Sequence, residues 1–449
     1  MPGRGESLPI LPFYLPQTLA DEAFLFRREL KLSTHVGFRR VYFRRRLSTG
    51  EYETDWQLID ERRVMSFGSP QTSLDPLKLN FFDQGGVTVK VDNSDGYFAP
   101  EDYRSSFWNG YMSQYRTLCK VVAGYDVGNE IPVEVPSQTT LFYVILTDEV
   151  EQARNNTVLM KLRGMGSIFS EVTADQLSFA SMSTLTAYNL LTAVRDYTDS
   201  NGVKIFQKFF SLGAWNLSGA SNQGYTQITT TALKDTKVVD FIRKLAAAER
   251  AVFYVGADGG FNFVSRTGDA SSTAHFFGGA LYTADQAHTI IDVTKYGDAT
   301  AKVYNRVRVK FNSADTETSY YTASESWAWG DSSSSFKFGV KTLDLDIPWM
   351  TTAAASTVGD AMLTEYQYPK KEITFRSKFY PPINILDRVT VSYAVIEEDT
   401  NLWGTAYIGR DTWQAANLQH NEFREQEFYV TKIVHNLDQF LTEISGRAV

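Results

Sequence analysis

Short stretches of alternating apolar and polar residues dominate the first 175 residues and predict β-strands. In GGVTVKVDN (residues 85–93), Val87, Val89 and Val91 fall on one side of an extended chain, which is the period of a half-buried strand. Two further runs flank residues 47–50, whose composition is typical of a hairpin turn. Short strands in close succession predict an antiparallel barrel or sandwich. The other strand-like stretches of this region are residues 117–125, 140–152 and 155–165.

From about residue 176 the apolar period changes to that of helices. In LKDTKVVDFIRKLAAAE, residues Val238, Phe241, Ile242 and Leu245 share one helical face, and Asp235 or Thr236 is the expected cap. An earlier helix is predicted in STLTAYNLLTAVRDYTD, capped by Ser183 or Thr184 and ended by Asn201-Gly202. Its expected buried face consists of Leu185, Tyr188, Leu191 and Ala193–Val194. A third helix is predicted in TTAAASTVGDAMLTEYQYPKK, ending before Pro369.

Further strands surround these helices. Asp258-Gly259 separates two aromatic-rich runs and predicts a hairpin turn. From residue 300 onwards, Val303, Val307, Val309 and Phe311 occupy odd positions of another strand. The polar stretch 312–335 is interpreted as a long surface loop or an edge hairpin. The chain ends in four more strand-like runs, and no internal repeat of 20 to 50 residues is found.

These elements predict a mainly β, multidomain α+β protein. We expect antiparallel β-barrel or sandwich domains that resemble tube proteins, together with a small helix-containing domain. The expected domains are an N-terminal β-barrel-like domain at 1–175, an α+β domain with a helix-hairpin unit at 176–300, and a C-terminal β-rich domain at 301–449. The domains may also be discontinuous along the chain. Aromatic residues make up 14% of the 449 residues, which favours strands.

The composition excludes several function classes. The formal net charge of -8 gives no reason to expect nucleic acid or an anionic membrane as a partner. Cys119 is the single cysteine, so an internal disulfide cannot form. Pro9, Pro12 and Pro16 interrupt the apolar residues near the N-terminus, so we expect no signal peptide. No window has the roughly 18 apolar residues of a membrane helix. We therefore expect a soluble protein made in the cytoplasm.

Local motifs for catalysis or cofactor binding are weak. The five histidines (35, 275, 288, 420 and 435) have no metal-ligand spacing, and there is no HExxH or GxSxG motif. GADGG (256–260) lies between strands and is interpreted as a turn; FGGALY (277–282) lacks the Lys-Ser/Thr partner of a phosphate loop. Asp344 and Asp346 alternate with leucines and could form a glycosidase pair, but a solvated strand face is the favoured interpretation. The prediction is no catalytic, cofactor-binding or metal site.

A basic cluster precedes the first predicted turn. Arg39-Arg40 and Arg44-Arg45-Arg46 could bind phosphates. Glu51, Glu53 and Asp55 follow the turn, however, and cross-strand charge pairing is the favoured interpretation. A lumen wall or a contact between subunits is a third alternative.

VKVDNSDGYFAP (89–100) has the composition of a calcium loop. With Gly96 at loop position 6, Asp95 and Asn93 occupy ligand positions 5 and 3. Val91, which has no side-chain oxygen, then occupies position 1, and a strand precedes the loop where an EF-hand needs a helix. The stretch is therefore interpreted as a strand that ends in an Asx-type turn.

Several motifs, taken in order, resemble bacteriophage tail hub proteins. Tyr143-Val144 stands where the hub pattern usually has glycine, which is a modest departure. The resemblance covers residues 70–449, and the order of the motifs gives it specificity. The motifs are VTVKVDNSDGYFAPED, FWNGY, YRTLCKVVAGY, LFYVILTDEVEQ, KVVDFIRKLAAAERAVFYVGADGGFNFVSR, KVYNRVRVKF, INILDRVTVSY and EFYVTKIVHNLDQFLTEISGR.

The resemblance implies a structural virion protein without enzymatic activity or cofactors. Tail hubs form a ring, usually a homotrimer, that closes the distal end of the tail tube, and the two barrel-like domains of each subunit produce pseudo-sixfold symmetry. The implied partners are the tail tube or distal tail protein, the tape-measure protein, and tail fibre or spike proteins, with DNA passing through the channel without sequence-specific binding. The implied location is the virion tail tip or baseplate. The alternative is a receptor- or carbohydrate-binding tail-tip protein, in which Trp327, Trp329 and Trp413 would stack on sugars. A cell-wall hydrolase is a third hypothesis.

Overall fold

Strand pairing between distant parts of the chain organises this protein. The structure is a computed structural model. It describes residues 37–47, 49, 51–75, 81–84, 86–98, 117–125, 140–153, 156–177, 186–210, 214–220, 233–256, 259–265, 274–278, 288–314, 317–324, 333–347, 350–393 and 423–448.

The strands and helices within these ranges are numbered in chain order. The strands are β1 (Gly37–Arg44), β2 (Gln57–Leu58), β3 (Val64–Phe67), β4 (Gln71–Asp75), β5 (Phe81–Gln84), β6 (Val87–Asp92), β7 (Leu118–Tyr125), β8 (Thr140–Ala153), β9 (Thr157–Gly164), β10 (Trp215–Asn216), β11 (Ala251–Val255), β12 (Phe261–Ser265), β13 (Ala274–Gly278), β14 (His288–Asp298), β15 (Arg306–Ala314), β16 (Glu317–Ser324), β17 (Thr342–Asp346), β18 (Lys371–Lys378), β19 (Arg388–Tyr393), β20 (Phe423–Asn436) and β21 (Leu441–Ala448). The α-helices are α1 (Ala187–Arg195), α2 (Ile205–Phe209), α3 (Val238–Glu249), α4 (Ser334–Phe338) and α5 (Thr352–Tyr366). Short 3-10 helices lie at Glu61–Arg63, Met165–Ser170, Ala174–Gln176 and Thr300–Lys302.

The first barrel is a seven-stranded antiparallel sheet with the order β2-β1-β7-β8-β9-β6-β3. Its two edge strands, β2 and β3, are joined by the 3-10 turn Glu61–Arg63. The Ile59 amide next to this turn donates to the Val41 carbonyl of β1 at 2.9 Å, which extends the pairing of β2 with β1. Val87, Val89 and Val91 are buried, as their alternation predicts.

The second barrel is closed by hydrogen bonds throughout. Its sheet has the order β19-β13-β14-β18-β21-β20, and β19 also pairs with β20. A closed ring of strands leaves no unpaired edge within the barrel. β13 pairs in parallel with both β14 and β19, whereas the predicted barrels are antiparallel. β13 therefore runs in the same direction as both of its neighbouring strands.

A hairpin from the first barrel extends the sheet of the second. β4 and β5 lie between β3 and β6 in the chain, yet β4 pairs with β20, where Ser73 lies opposite Lys432. The second barrel thus combines strands from residues 71–84, 274–298 and 371–448. The predicted boundaries at 175 and 300 stay predictions, together with the expectation that domains are discontinuous.

The helices cover two small sheets. One has the order β10-β12-β11 and the other β16-β15-β17. The buried side chains of α1, α3, α5 and these sheets form one apolar cluster, and a second cluster fills both barrels. The mainly β fold with a helix-containing part is confirmed. In the described residues, no helix has the length and apolar composition needed to cross a membrane.

The helix predictions are correct for the buried face of α3, wrong for Tyr188 in the predicted buried face of α1, and wrong for two caps. Val238, Phe241, Ile242 and Leu245 of α3 are fully buried, but the N-cap is Lys237 and not Asp235 or Thr236. Asp235 instead has a left-handed backbone (φ 61°) and ends the preceding turn.

In α1, Leu191 and Val194 are buried as predicted, but Tyr188 is 50% exposed. Thr186 is the N-cap, and its hydroxyl accepts from the Asn189 amide at 3.2 Å. Ser183, Thr184 and Leu185 lie outside the described residues. The helix ends at Arg195, and Asn201-Gly202 belongs to the later turn that precedes α2.

Most of the remaining element predictions are confirmed where the structure describes them. Val307, Val309 and Phe311 lie on β15 as predicted, but Val303 precedes this strand and follows the 3-10 helix Thr300–Lys302. α5 ends at Tyr366, before Pro369. β11 and β12 form the predicted hairpin, with Gly259 at φ 78° and Asp258 outside the described residues. In the stretch 312–335, β15 and β16 form an antiparallel hairpin, so the edge-hairpin alternative is correct there.

Candidate functional site: two equivalent barrels and their junction

The two barrels have the same strand order. In the first, four strands that follow one another in the chain pair as β6-β9-β8-β7. In the second, the corresponding strands pair as β18-β21-β20-β19. In both cases one strand, β3 or β14, pairs with the outer side of the first of them. The same topology therefore occurs twice in one chain, although no sequence repeat reveals it.

The register of pairing also matches. In the first barrel, the last residue of β6, Asp92, pairs with the first residue of β9, Thr157. In the second, the last residue of β18, Lys378, pairs with the first residue of β21, Leu441. The first residue of β7 lies opposite Val144, and that of β19 lies opposite Tyr429. Equivalent residues can thus be assigned strand by strand.

The barrels meet at the turn between β20 and β21, residues 437–440, which we call the junction turn. Phe440 in this turn has φ 53°, and its ring packs against Tyr125 and Phe379 with centroid separations of 6.1 and 5.6 Å. A Cβ at Gly37 would overlap this ring. Glycine at position 37 is therefore what allows Phe440 to lie against the end of β1.

Polar contacts complete the junction. The Asp438 carboxylate accepts from the Arg39 guanidinium and from the Phe67 amide at 3.2 Å. The Tyr125 hydroxyl donates to the Phe379 carbonyl at 3.0 Å, and burial raises the pKa of Tyr125. The two Asp438 bonds fix the junction turn against β1 and β3, and the Tyr125 bond joins β7 to the segment that follows β18.

Buried histidines lie inside the second barrel. Nδ1 of His435 is 3.0 Å from the Thr442 hydroxyl, which also accepts from the Tyr380 amide at 2.8 Å. Burial lowers the pKa of His435 to about 4. His275 lies 3.0 Å from the Tyr380 hydroxyl and 3.1 Å from the Asp387 carboxylate. The histidine contacts are internal to the barrel, and within the described residues no group of three or more His, Cys, Asp or Glu could hold a metal.

The basic cluster forms ion pairs, and one of them, between Arg45 and Glu53, is the cross-turn pairing that its favoured interpretation predicts. Arg45 pairs with Glu53 across the turn, and the guanidinium of Arg44 donates to the Glu53 carbonyl. Arg40 pairs with Glu61, whereas Glu51 binds Lys208 on α2 instead.

Arg39 was expected to pair within the hairpin, but it binds Asp438 in the other barrel. Sequence reasoning missed this partner because 399 positions separate the two residues. The Asn-Leu-Asp-Gln composition of 436–439 signals only a turn.

The stretch 89–100 ends in the predicted Asx-type turn. The Asn93 side-chain oxygen accepts from the Phe98 amide at 2.7 Å, and Gly96 has φ 76°. Asp95 forms a two-bond ion pair with Arg63 at 2.7 and 2.8 Å. This hydrogen-bonded pairing lowers the pKa of Asp95 to about 2. Asp102, which would occupy position 12 of a calcium loop, lies outside the described residues.

The other candidates of the sequence remain separate from the junction. Asp344 and Asp346 lie on the exposed face of β17, where Arg308 donates to Asp344 at 2.6 Å, so the solvated strand face is confirmed. Gly256, Gly259 and Gly260 form the β11–β12 turn. The candidates outside the described residues are Trp327, Trp329, Trp413, His35, His420 and residues 279–282 of FGGALY.

Comparison with known proteins gives structural similarity without sequence matches. No family model matches the sequence, and no curated protein matches it. Similar solved structures include the prophage tail protein gp18 from Listeria monocytogenes EGD-e, with 9% identity, a TM-score of 0.46, and coverage of 91% of this chain and 94% of that chain. A tail protein from Neisseria meningitidis MC58 has 11% identity, a TM-score of 0.49, and coverage of 92% and 96%. The 43 kDa tail protein of prophage MuSo2 from Shewanella oneidensis has 12% identity, a TM-score of 0.46, and coverage of 91% and 98%.

All three structures are of tail proteins, the class whose motifs this sequence resembles. Because identities are 9 to 12% and TM-scores lie below 0.5, the proposals below rest on the motifs and contacts of this chain.

Proposed function

We propose that this chain is a structural protein of a bacteriophage tail tip, the hub that closes the distal end of the tail tube. In this proposal, three copies form a ring around a central channel. The observation that supports it most directly is the equivalence of the two barrels in strand order and register. Three chains would present six similar barrels, which suits a tail tube built from sixfold rings.

The junction turn supports a ring for a second reason. A closed ring needs a head-to-tail interface, in which two different surfaces meet. Within one chain, the β20–β21 turn of the second barrel contacts the ends of β1 and β7 in the first. This contact already has the head-to-tail character that successive barrels around a ring would repeat.

The proposed position determines the partners. The tail tube or distal tail protein would bind one face of the ring, and tail fibre or spike proteins would attach at the tip. The tape-measure protein would end at the channel, and DNA would pass without sequence-specific binding during genome ejection. The protein would be made in the host cytoplasm and would function in the virion, at the tail tip or baseplate.

Mass measurement and imaging test this proposal. The purified protein is expected to have three times the mass of one chain, measured by light scattering after size exclusion. Electron cryomicroscopy of the particle is expected to show three copies around the channel at the end of the tube. An asymmetric or sixfold placement of the chain would contradict the hub assignment.

The proposal includes no catalytic step. A hydrolase would instead turn over peptidoglycan, and Asp344 and Asp346 are the carboxylates that sequence reasoning selected for such chemistry. We expect purified protein to release no soluble fragments from peptidoglycan. Release that disappears in both Asp344→Asn and Asp346→Asn variants would establish an enzyme.

A further inference from the structure

Each barrel carries a β-bulge at the equivalent place. In β3, the residues on either side of Met65 pair with consecutive residues of β6, so Met65 is an extra residue. In β14, the residues on either side of Ile291 pair with consecutive residues of β18, so Ile291 is also an extra residue. Because β6 and β18 are equivalent strands, Met65 and Ile291 occupy equivalent positions.

Both bulges expose a large apolar side chain. Met65 is 52% exposed and Ile291 is 50% exposed, whereas large aliphatic residues are usually buried. Bulges redirect side chains and are built features of a sheet. Because these exposed side chains occupy equivalent positions in the two barrels, we expect both to have the same function.

A basic residue lies beside each bulge. Lys90 lies opposite Ser66, next to Met65. Arg376 lies opposite Asp292, next to Ile291, and its guanidinium forms a two-bond ion pair with the Asp292 carboxylate. Lys90 and Arg376 are equivalent, because each lies two residues before the last residue of its strand, β6 or β18, in the pairing with β9 or β21. We call Met65 with Lys90, and Ile291 with Arg376, the bulge patches.

The bulge patches are exposed in the single chain, whereas the surfaces that join the two barrels are already in contact at the junction turn. In a ring of alternating barrels, neighbouring barrels would use the same contact surface throughout. One such contact occurs within each chain, at the junction turn, so a residue of that surface would already be buried in one of the two barrels. Met65 and Ile291 are instead exposed to the same extent. The occupant of the patches is therefore a different molecule, not a second copy of this chain.

We propose that the two bulge patches bind neighbouring subunits of one homo-oligomeric ring, each through an apolar pocket. Met65 and Ile291 occupy equivalent positions, and a partner built from repeated subunits offers the same apolar pocket to both barrels. The inference rests on the proposed function and names the surface by which the hub would bind the sixfold tube.

The test compares Met65→Ser, Ile291→Ser and the double variant in binding to the purified tail-tube ring from the same virion. Each single variant is expected to weaken binding by about tenfold, and by a similar factor, because each removes one exposed apolar contact. The double variant is expected to lose more than either. Val340→Ser, at a residue that is 46% exposed outside the barrels, is the control and should bind like the wild type.

Each outcome is decisive. If the wild-type protein does not bind the tube ring, the proposed function fails. If it binds and the double variant binds equally tightly, only the bulge-patch inference fails. Loss of binding in one single variant alone would refute the equivalence. Dissociation of the double variant into single chains, measured by light scattering, would show that the patches join copies of this chain and would also overturn the inference.

Discussion

At the scale of single residues, Phe440 and Gly37 depend on each other. A bulky residue with positive φ is rare, and Phe440 has this conformation where its ring packs on Tyr125 and Phe379. Gly37→Ala would place a methyl group in the space of that ring. We expect a loss of about 1–3 kcal/mol in the free energy of unfolding, measured by urea denaturation.

A second variant separates overlap from other effects of Gly37→Ala. In a Phe440→Ala background, the space beside residue 37 is open, so the added methyl group should cost much less. An equal cost in both backgrounds would contradict the contact between Phe440 and Gly37. The comparison is a double-mutant cycle, which isolates the pairwise effect.

His435 should make stability depend on pH. Burial lowers its pKa from 6.5 to about 4, so the unfolded chain binds a proton more readily than the folded one between these values. The stabilisation is complete above pH 6.5 and is lost as pH falls toward 4. The loss is expected to approach roughly 3 kcal/mol, measured by urea denaturation at several pH values.

His435→Gln provides the control, because glutamine cannot titrate but can accept from the Thr442 hydroxyl. The pH slope between 6.5 and 4.5 should be smaller in this variant. Asp95 and Glu372, whose pKa values are lowered by their ion-pair partners against the opposing effect of burial, act below their usual values of 3.8 and 4.5. Their stabilisation is lost mainly as the pH falls below these values. A pH slope between 6.5 and 4.5 that is unchanged in His435→Gln would refute the contribution of His435.

At the scale of elements, the C-terminal end of α3 has a residue whose replacement should stabilise the protein. Its C-cap, Arg250, has a left-handed backbone with φ 53° and ψ 38°, which glycine adopts without steric cost. Arg250→Gly is expected to raise the free energy of unfolding by up to about 1 kcal/mol. Ala247→Gly, within the helix, is the matched control and should lower it by about 1 kcal/mol. Destabilisation by both variants would show that the Arg250 side chain outweighs the backbone strain.

The elements also show what the sequence could predict. Alternation identified β6 because one face of this strand is buried, and the four apolar residues of α3 identified its buried face. Its cap was mispredicted because Asp235 and Thr236 have the composition of a cap, whereas the chain uses them in a turn. Side-chain type indicates where a cap can form, but the preceding backbone decides where it does.

The barrel equivalence could not be predicted from sequence. Equivalent positions hold different residues, such as Leu162 and Gly446, or Val158 and Thr442. What the barrels share is pairing between strands that are distant in the chain, and single-sequence patterns do not report pairing. The bulge residues Met65 and Ile291 gave no signal for the same reason, since a bulge is defined by its partner strand.

At the scale of the whole molecule, the junction turn should make the two barrels unfold together. The barrels share one apolar cluster, and Asp438 and Phe440 join their surfaces through a charge-assisted bond and ring packing. Calorimetry of the wild-type protein is therefore expected to show one transition for both barrels. Asp438→Ala combined with Phe440→Ala removes both contacts, and we expect this transition to separate into two.

The control for this experiment is Asp344→Ala, which removes an exposed ion pair with Arg308 on the β16-β15-β17 sheet. Exposed pairs contribute little, and this one lies away from the junction, so the single transition should persist. Two barrel transitions in the wild-type protein would contradict the coupling. A single transition that survives in the double variant would show that the shared apolar cluster alone couples the barrels, since cooperativity follows the contacts that cross between units.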